Sequence, residues 1–280
     1  MGKVFVFDET SCNGCYGCQF ACKDEHYDNE WMPYQKPQPL TGHFWMKLCE
    51  TTHGQVPRVR IEYRPVPCQH CDAGPCLEHP AFYKRDDGLV ILDPEKAADK
   101  SIMDEKWCPY HAIYWNDELG IAQKCNGCAH LVDAGEEPHC VDLCVLNTWN
   151  FGDEEDFKDQ IAQAEVFHPE YGTQPRVYYL NMPHLFIGGG VWDPEADEVI
   201  IGAKITLWGA GATPDMERDY DPYENFYLNT TSDEFGDFWF RKLDPGKYHI
   251  AIEAEGFKTV EKEIDLTESL NIGDFALERA

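Results

Sequence analysis

The chain has 280 residues, 43% apolar and 26% charged, an ordinary globular composition with room for about two domains. Disordered and collagen-like chains are excluded. Its net charge of -28 repels phosphate backbones, so no nucleic acid is expected as a partner.

The N-terminus opens with Lys3, the four apolar residues Val4 to Phe7, and then Asp8 and Glu9. That run is too short for the apolar core of a signal peptide, so export by a signal of its own is not expected. The longest weakly polar stretch, Val199 to Ala212, contains Lys204 and falls short of the roughly 20 apolar residues needed to cross a bilayer. A cytoplasmic protein without a membrane segment is the expectation.

All thirteen cysteines lie at or before residue 144. In a short secreted chain such density reads as disulfides, but this chain is long enough to bury a core, and metal ligation is the leading reading. The first group, Cys12-x2-Cys15-x2-Cys18-x3-Cys22, has the spacing in which three thiolates grip one 4Fe-4S cube and the fourth reaches a neighbouring one. Zinc is the alternative, although structural zinc usually draws on two separated cysteine pairs. The second group, Cys68-x2-Cys71-x4-Cys76, has Pro80 near the place where a fourth cysteine would stand. Cys108 stands alone before Pro109, and the last group is Cys125-x2-Cys128-x11-Cys140-x3-Cys144, with Gly135 and Pro138 suited to a turn. By itself this last group is compatible with zinc.

The run from Cys12 through Cys22 to Glu25, taken with Lys124 to Cys144 and Phe151-Gly152-Asp153, resembles the iron-sulfur subunits of dimethyl-sulfoxide-reductase-type molybdopterin oxidoreductases. The resemblance covers roughly residues 1 to 155. It implies clusters shared between motifs: one on Cys12, Cys15, Cys18 and Cys144; a second on Cys125, Cys128, Cys140 and Cys22; a third on Cys68, Cys71, Cys76 and Cys108. The family's fourth cluster would need three cysteines shortly before Cys108 and one near Pro80, yet residues 77 to 107 contain none. Twelve cysteines thus form three complete sets, and Cys49 is left over as an expected small core residue. Val145 stands where the family often has proline.

The resemblance further implies electron transfer in partnership with a large catalytic chain carrying molybdenum on molybdopterin guanine dinucleotide. Catalytic residues are then expected on that partner and none on this chain. Within the family, the lost cluster, the missing membrane segment and the C-terminal extension are most like the small subunits of anaerobic polyphenol transhydroxylases, whose partner chain binds the polyphenol. Two other readings stand beside it: a reductase or dehydrogenase subunit serving an external acceptor, and a scaffold with structural clusters or zinc.

The fold expected is α+β. Short strands at Val4 to Phe7, Val59 to Tyr63, Leu89 to Leu92 and Ala112 to Tyr114, with short helices after the cysteine runs, read as two ferredoxin-like iron-sulfur halves. Asp153 is a candidate cap for a helix presenting Phe157, Ile161 and Ala164 as a docking face. Residues 1–184 would form this region. Residues 185–280 lack cysteine, alternate like strands, and over Thr230 to Phe257 resemble a transthyretin-like, carboxypeptidase-regulatory-like sandwich, with Gly236 and Gly246 at turns. Gly188-Gly189-Gly190 is expected at the sandwich mouth, in a turn or strand start. The acids from Asp215 to Glu224 read as a solvated loop rather than a calcium site. His70, His79, His111, His130 and His139 lie near cysteines, and packing or solvation is the expectation for each.

Overall fold

The computed structural model describes residues 2–209 and 227–280. The Asp215 to Glu224 run therefore lies outside the described residues. By contacts the chain divides into two compact units: Met1–Glu50 with Tyr63–Met182, and Thr51–Glu62 with Pro183–Ala280. Among the described residues, no helix is long and apolar enough to cross a membrane.

The elements up to residue 182 run in chain order as β1 (Lys3–Asp8), α1 (Gly17–His26), β2 (Lys47–Gln55), β3 (Arg58–Val66), β4 (Phe82–Lys84), β5 (Val90–Leu92), β6 (Tyr114–Asn116) and β7 (Ile121–Gln123). Then come α2 (Ala129–Ala134), α3 (His139–Asp142), β8 (Trp149–Asp153), α4 (Lys158–Ile161), β9 (Glu165–Val166) and β10 (Val177–Leu180). One sheet has the order β8-β1-β10-β9, with β1 parallel to β10 and antiparallel to β8. The unbroken apolar run Val4 to Phe7 suits β1 to this central place, because both of its faces are buried. Phe5 stacks on Trp149 with ring centroids 5.3 Å apart, and Phe7, Phe151, Val177 and Tyr179 extend the same core.

The pairs β2-β3, β4-β5 and β6-β7 are separate two-stranded sheets. Ala81, Phe82, Leu92, Ile102 and Ile121 close a second apolar core across the cysteine-free segment 77–107. The short strand expected at Ala112 to Tyr114 begins instead at Tyr114. The helix expected after Asp153 is a correction. Glu154–Phe157 forms a 3-10 turn, α4 adds a single α turn, and the Asp153 side chain makes no cap. Phe157 packs over Gly152, where an added Cβ would come within 2.8 Å of its ring. This inward contact takes Phe157 away from the expected face.

The second unit contains β11 (Leu185–Asp193), β12 (Glu198–Val199), β13 (Lys204–Gly209), β14 (Tyr227–Thr231), β15 (Asp237–Leu243), β16 (Gly246–Glu253), β17 (Val260–Leu266) and β18 (Leu270–Ala276). One sheet holds β12-β11-β15, with β18 also paired to β11; the other has the order β14-β13-β16-β17. Ile187, Val191, Phe238 and Phe240 from the first meet Ile205, Leu207, Ile250 and Ile252 from the second. Alternation along β16 sends Tyr248, Ile250 and Ile252 inward, as expected for a strand with one buried face.

Residues 51–62, the tip of the β2-β3 hairpin, belong to this second unit. Arg58 is buried there, paired with Asp237, with Asp274 at 2.8 Å and with the Asn271 Oδ1 at 3.0 Å. The triple glycine lies inside β11 and not at a turn, and Arg58 crowds the space at Gly188 and Gly190. A Cβ at Gly188 would stand 3.0 Å from Arg58 Cδ, and one at Gly189 would stand 2.5 Å from the Phe238 ring. Gly236 turns at φ +77°, whereas Gly246 opens β16.

Candidate metal centres

Two loops with the same four residues begin the site. Cys12-Asn13-Gly14-Cys15 precedes α1 and Cys125-Asn126-Gly127-Cys128 precedes α2, and both glycines sit at φ +68°. That left-handed conformation favours glycine. Neither position has room for a side chain either: a Cβ would fall 2.2 Å from the Tyr63 ring at Gly14 and 2.7 Å from Leu89 at Gly127.

Cys12, Cys15, Cys18 and Cys144 line one cavity of about 420 Å³, counting space open to solvent. Cys15 is exposed at its rim, as are Val145 and Leu146. Cys68, Cys71, Cys76 and Cys108 line another cavity of about 310 Å³. Cys22 is buried near Cys125 and Cys140, and Cys128 in turn lies near Cys22 and Cys125. Cys18 and Cys22 are four residues apart on α1, so one helix contributes thiols to two sets.

Burial holds most of these thiols in their protonated form. It pushes Cys18, Cys71 and Cys76 up to about 12 and Cys125 to about 11, while Cys22, Cys128 and Cys140 rise well above the usual thiol range. Neighbouring thiols add to the effect in every case. Cys144 differs: burial raises it, but the Thr148 hydroxyl and the backbone N–H groups of Trp149, Thr148 and Leu146 outweigh that and bring it below the usual value. A soft metal centre that binds thiolates relieves the crowding of the buried set.

Donors already face the sulfurs. Backbone N–H groups of Gly17, Gly127 and Ala112 reach Cys15, Cys125 and Cys108 Sγ at 3.4 Å each, and the Trp149 Nε1–H donates to Cys140 Sγ at 3.4 Å. Thiol quartets with N–H donors fit an iron-sulfur cube, whose potential depends on such bonds. Among the described residues, no three His, Cys, Asp or Glu side chains are grouped so as to hold a single metal ion.

Two histidines face cysteine sulfurs, and for His70 this departs from the expectation of packing or solvation. His70 Nε2 lies 3.7 Å from Cys125 Sγ, and His26, which sequence reasoning missed, places Nε2 3.4 Å from Cys128 Sγ. Burial lowers His26 to about 3, with His130 contributing, so its ring is neutral. The available signal was its spacing four residues after Cys22 on α1. His130 bonds Glu25 at 2.8 Å, His79 Nδ1 accepts from the Ala81 N–H at 3.2 Å, His139 lies 3.9 Å from Asp142, and His111 is exposed. Cys49 is also a correction: it is exposed, because strand alternation turns Leu48 inward and Cys49 out.

Two domain models match the chain. A 4Fe-4S dicluster domain model matches residues 59–154, and a carboxypeptidase regulatory-like domain model matches residues 187–278. An iron-sulfur unit joined to a β-sandwich defines the class. The chain is 36% identical over 265 residues to the pyrogallol hydroxytransferase small subunit of Pelobacter acidigallici, covering 90% of each chain. It is 30% identical to a tetrathionate reductase chain of Salmonella typhimurium, over 66% of this chain and 74% of that one. It is 34% identical to the selenate reductase beta chain of Thauera selenatis, over 56% of this chain and 50% of that one. The chain belongs to the family of iron-sulfur electron-transfer subunits of dimethyl-sulfoxide-reductase-type molybdenum enzymes. It is therefore part of an enzyme complex.

Proposed function

We propose that this chain carries three 4Fe-4S clusters for a molybdopterin catalytic subunit that converts pyrogallol to phloroglucinol. Cys12, Cys15, Cys18 and Cys144 would hold the first cluster, Cys125, Cys128, Cys140 and Cys22 the second, and Cys68, Cys71, Cys76 and Cys108 the third. The observation that carries the substrate is the 36% identity to a pyrogallol hydroxytransferase small subunit, which extends over 90% of both chains. The count of three is supported by the cysteine-free segment 77–107, where apolar side chains such as Ile102 and Ala97 form a core.

Bound clusters supply one-electron transfer. This chain's residues position the thiolates, direct N–H groups at their sulfurs, and surround the second set with buried groups such as Trp149 and Ala129 that exclude water. Catalytic residues, the molybdopterin guanine dinucleotide and the polyphenol belong to the partner on this reading. The exposed rim of the first set, at Cys15 and Val145, is suited to meet that partner. Pyrogallol and phloroglucinol are isomers, so the reaction has no net electron demand and needs no membrane acceptor. On this reading the complex is placed in the cytoplasm.

The test is to purify the native complex anaerobically and incubate it with pyrogallol and no external electron acceptor. Phloroglucinol is the expected product. Its absence, together with dye reduction driven by another substrate, would favour the second reading, a reductase or dehydrogenase subunit like those of the tetrathionate and selenate enzymes. A colourless, zinc-loaded protein would point to a scaffold instead.

A further inference from the structure

Lys124 precedes Cys125 in the chain, yet its side chain turns toward a different thiol set. Its Nζ lies 3.6 Å from Cys68 Sγ and donates to the carbonyls of Val90 and, at 2.7 Å, Cys125. An ammonium has three donors and no acceptor, and here it meets three acceptors in a site where the residue is only 5% exposed. His70 does the reverse. It lies within the Cys68 to Cys76 motif, but its ring reaches Cys125 Sγ at 3.7 Å.

The backbone of Val90 joins the two. Its carbonyl accepts from Lys124, and its N–H donates to His70 Nδ1 at 3.0 Å. A neutral imidazole that accepts at Nδ1 carries its proton on Nε2, so the group facing Cys125 is a donor.

We propose that Lys124 and His70 form a reciprocal junction between the second and third thiol sets, each bonding a sulfur of the other's set and favouring reduction of the cluster held there. The proposal rests on the reading that these thiols hold iron-sulfur clusters. Added electron density on a cluster is stabilised by a buried cation and by N–H groups on its sulfurs. Lys124 brings a full charge, and a neutral imidazole brings only a dipole. Both are positioning residues, acting through ligand sulfurs.

The experiment is a redox titration of the anaerobic holo-complex, followed by electron paramagnetic resonance, in wild type, Lys124→Gln and His70→Phe, with iron measured in each. Gln retains N–H donors for the carbonyls while removing the charge. Lys124→Gln should shift the reduction equilibrium of the third cluster toward the oxidised form by about tenfold or more, 59 mV for a one-electron couple. The second cluster should shift less and the first not at all. His70→Phe should move the second cluster alone. Iron-replete variants with unmoved potentials, or with equal shifts in all three clusters, would overturn the junction, as would loss of iron from both, which would mark a structural role. A wild-type complex with no iron-sulfur signal would sink the cluster reading itself, and the junction with it.

Discussion

The guanidinium of Arg58 lies directly over Gly190: a Cβ built on that glycine would stand 2.6 Å from Arg58 Nη2 and 2.4 Å from Asp274 Oδ1. A residue from the hairpin tip thus determines why β11 contains glycine. Gly190→Ala should cost about 1–3 kcal/mol through overpacking. Arg58→Met should cost a similar amount, about 1–3 kcal/mol, less than for a fully buried pair because Asp274 is largely exposed and can rehydrate. Calorimetry of the full protein should show the sandwich transition lowered in both variants, with iron content unchanged. An unmoved transition would refute the anchoring role of Arg58.

Single cysteine replacements should remove clusters one set at a time. Cys15→Ser and Cys71→Ser should each lower iron from about twelve atoms per chain toward about eight, while Cys49→Ser should leave it unchanged. Iron and sulfide analysis reads this directly. Iron loss in Cys49→Ser would mean that the sets are assigned wrongly.

Ile102 is fully buried in the apolar core over segment 77–107. Ile102→Ala should destabilise the protein by about 2–5 kcal/mol through loss of burial and the cavity left behind. Denaturant unfolding would detect it, with every cluster signal retained in the folded protein. Loss of a cluster signal at full folding would contradict a purely structural role for this segment.

Asp72 bonds Arg176 at 2.6 Å and Lys84 at 2.8 Å. Burial raises its pKa, but these two cations outweigh that and hold it below the ordinary carboxylate value. A depressed folded pKa contributes stability that is present above the unfolded pKa and lost as pH falls through the folded one. The stability difference between wild type and Asp72→Asn should therefore be constant above about pH 5 and shrink in more acid solution. A difference that grows on acidification would reverse the assignment.

The cysteine motifs stand out in the sequence because their spacing is local, written in a few residues around each motif. Sharing between motifs, such as Cys22 with Cys125, came from family resemblance and not from spacing. The sandwich was legible through strand alternation, as in Tyr248 to Ile252. What stayed hidden depends on contacts distant in sequence. Arg58 and Gly190 are 132 positions apart in numbering, and nothing local marks the triple glycine as space for a guanidinium and the Phe238 ring. Lys124 reads as a neighbour of Cys125, and only its folded path brings it to Cys68. The helix expected after Asp153 is cut to a 3-10 turn and one α turn, and the contact of Phe157 with Gly152 is not marked by local spacing.

On the proposed reading three cubes, and neither four nor none, occupy this chain. Iron, sulfide and zinc should be measured on the anaerobically purified complex, with spin quantitation after full reduction and the partner's own content subtracted. About twelve iron atoms and twelve sulfides for this chain, with no zinc, is the predicted result. About sixteen iron atoms, or zinc in place of iron, would contradict it.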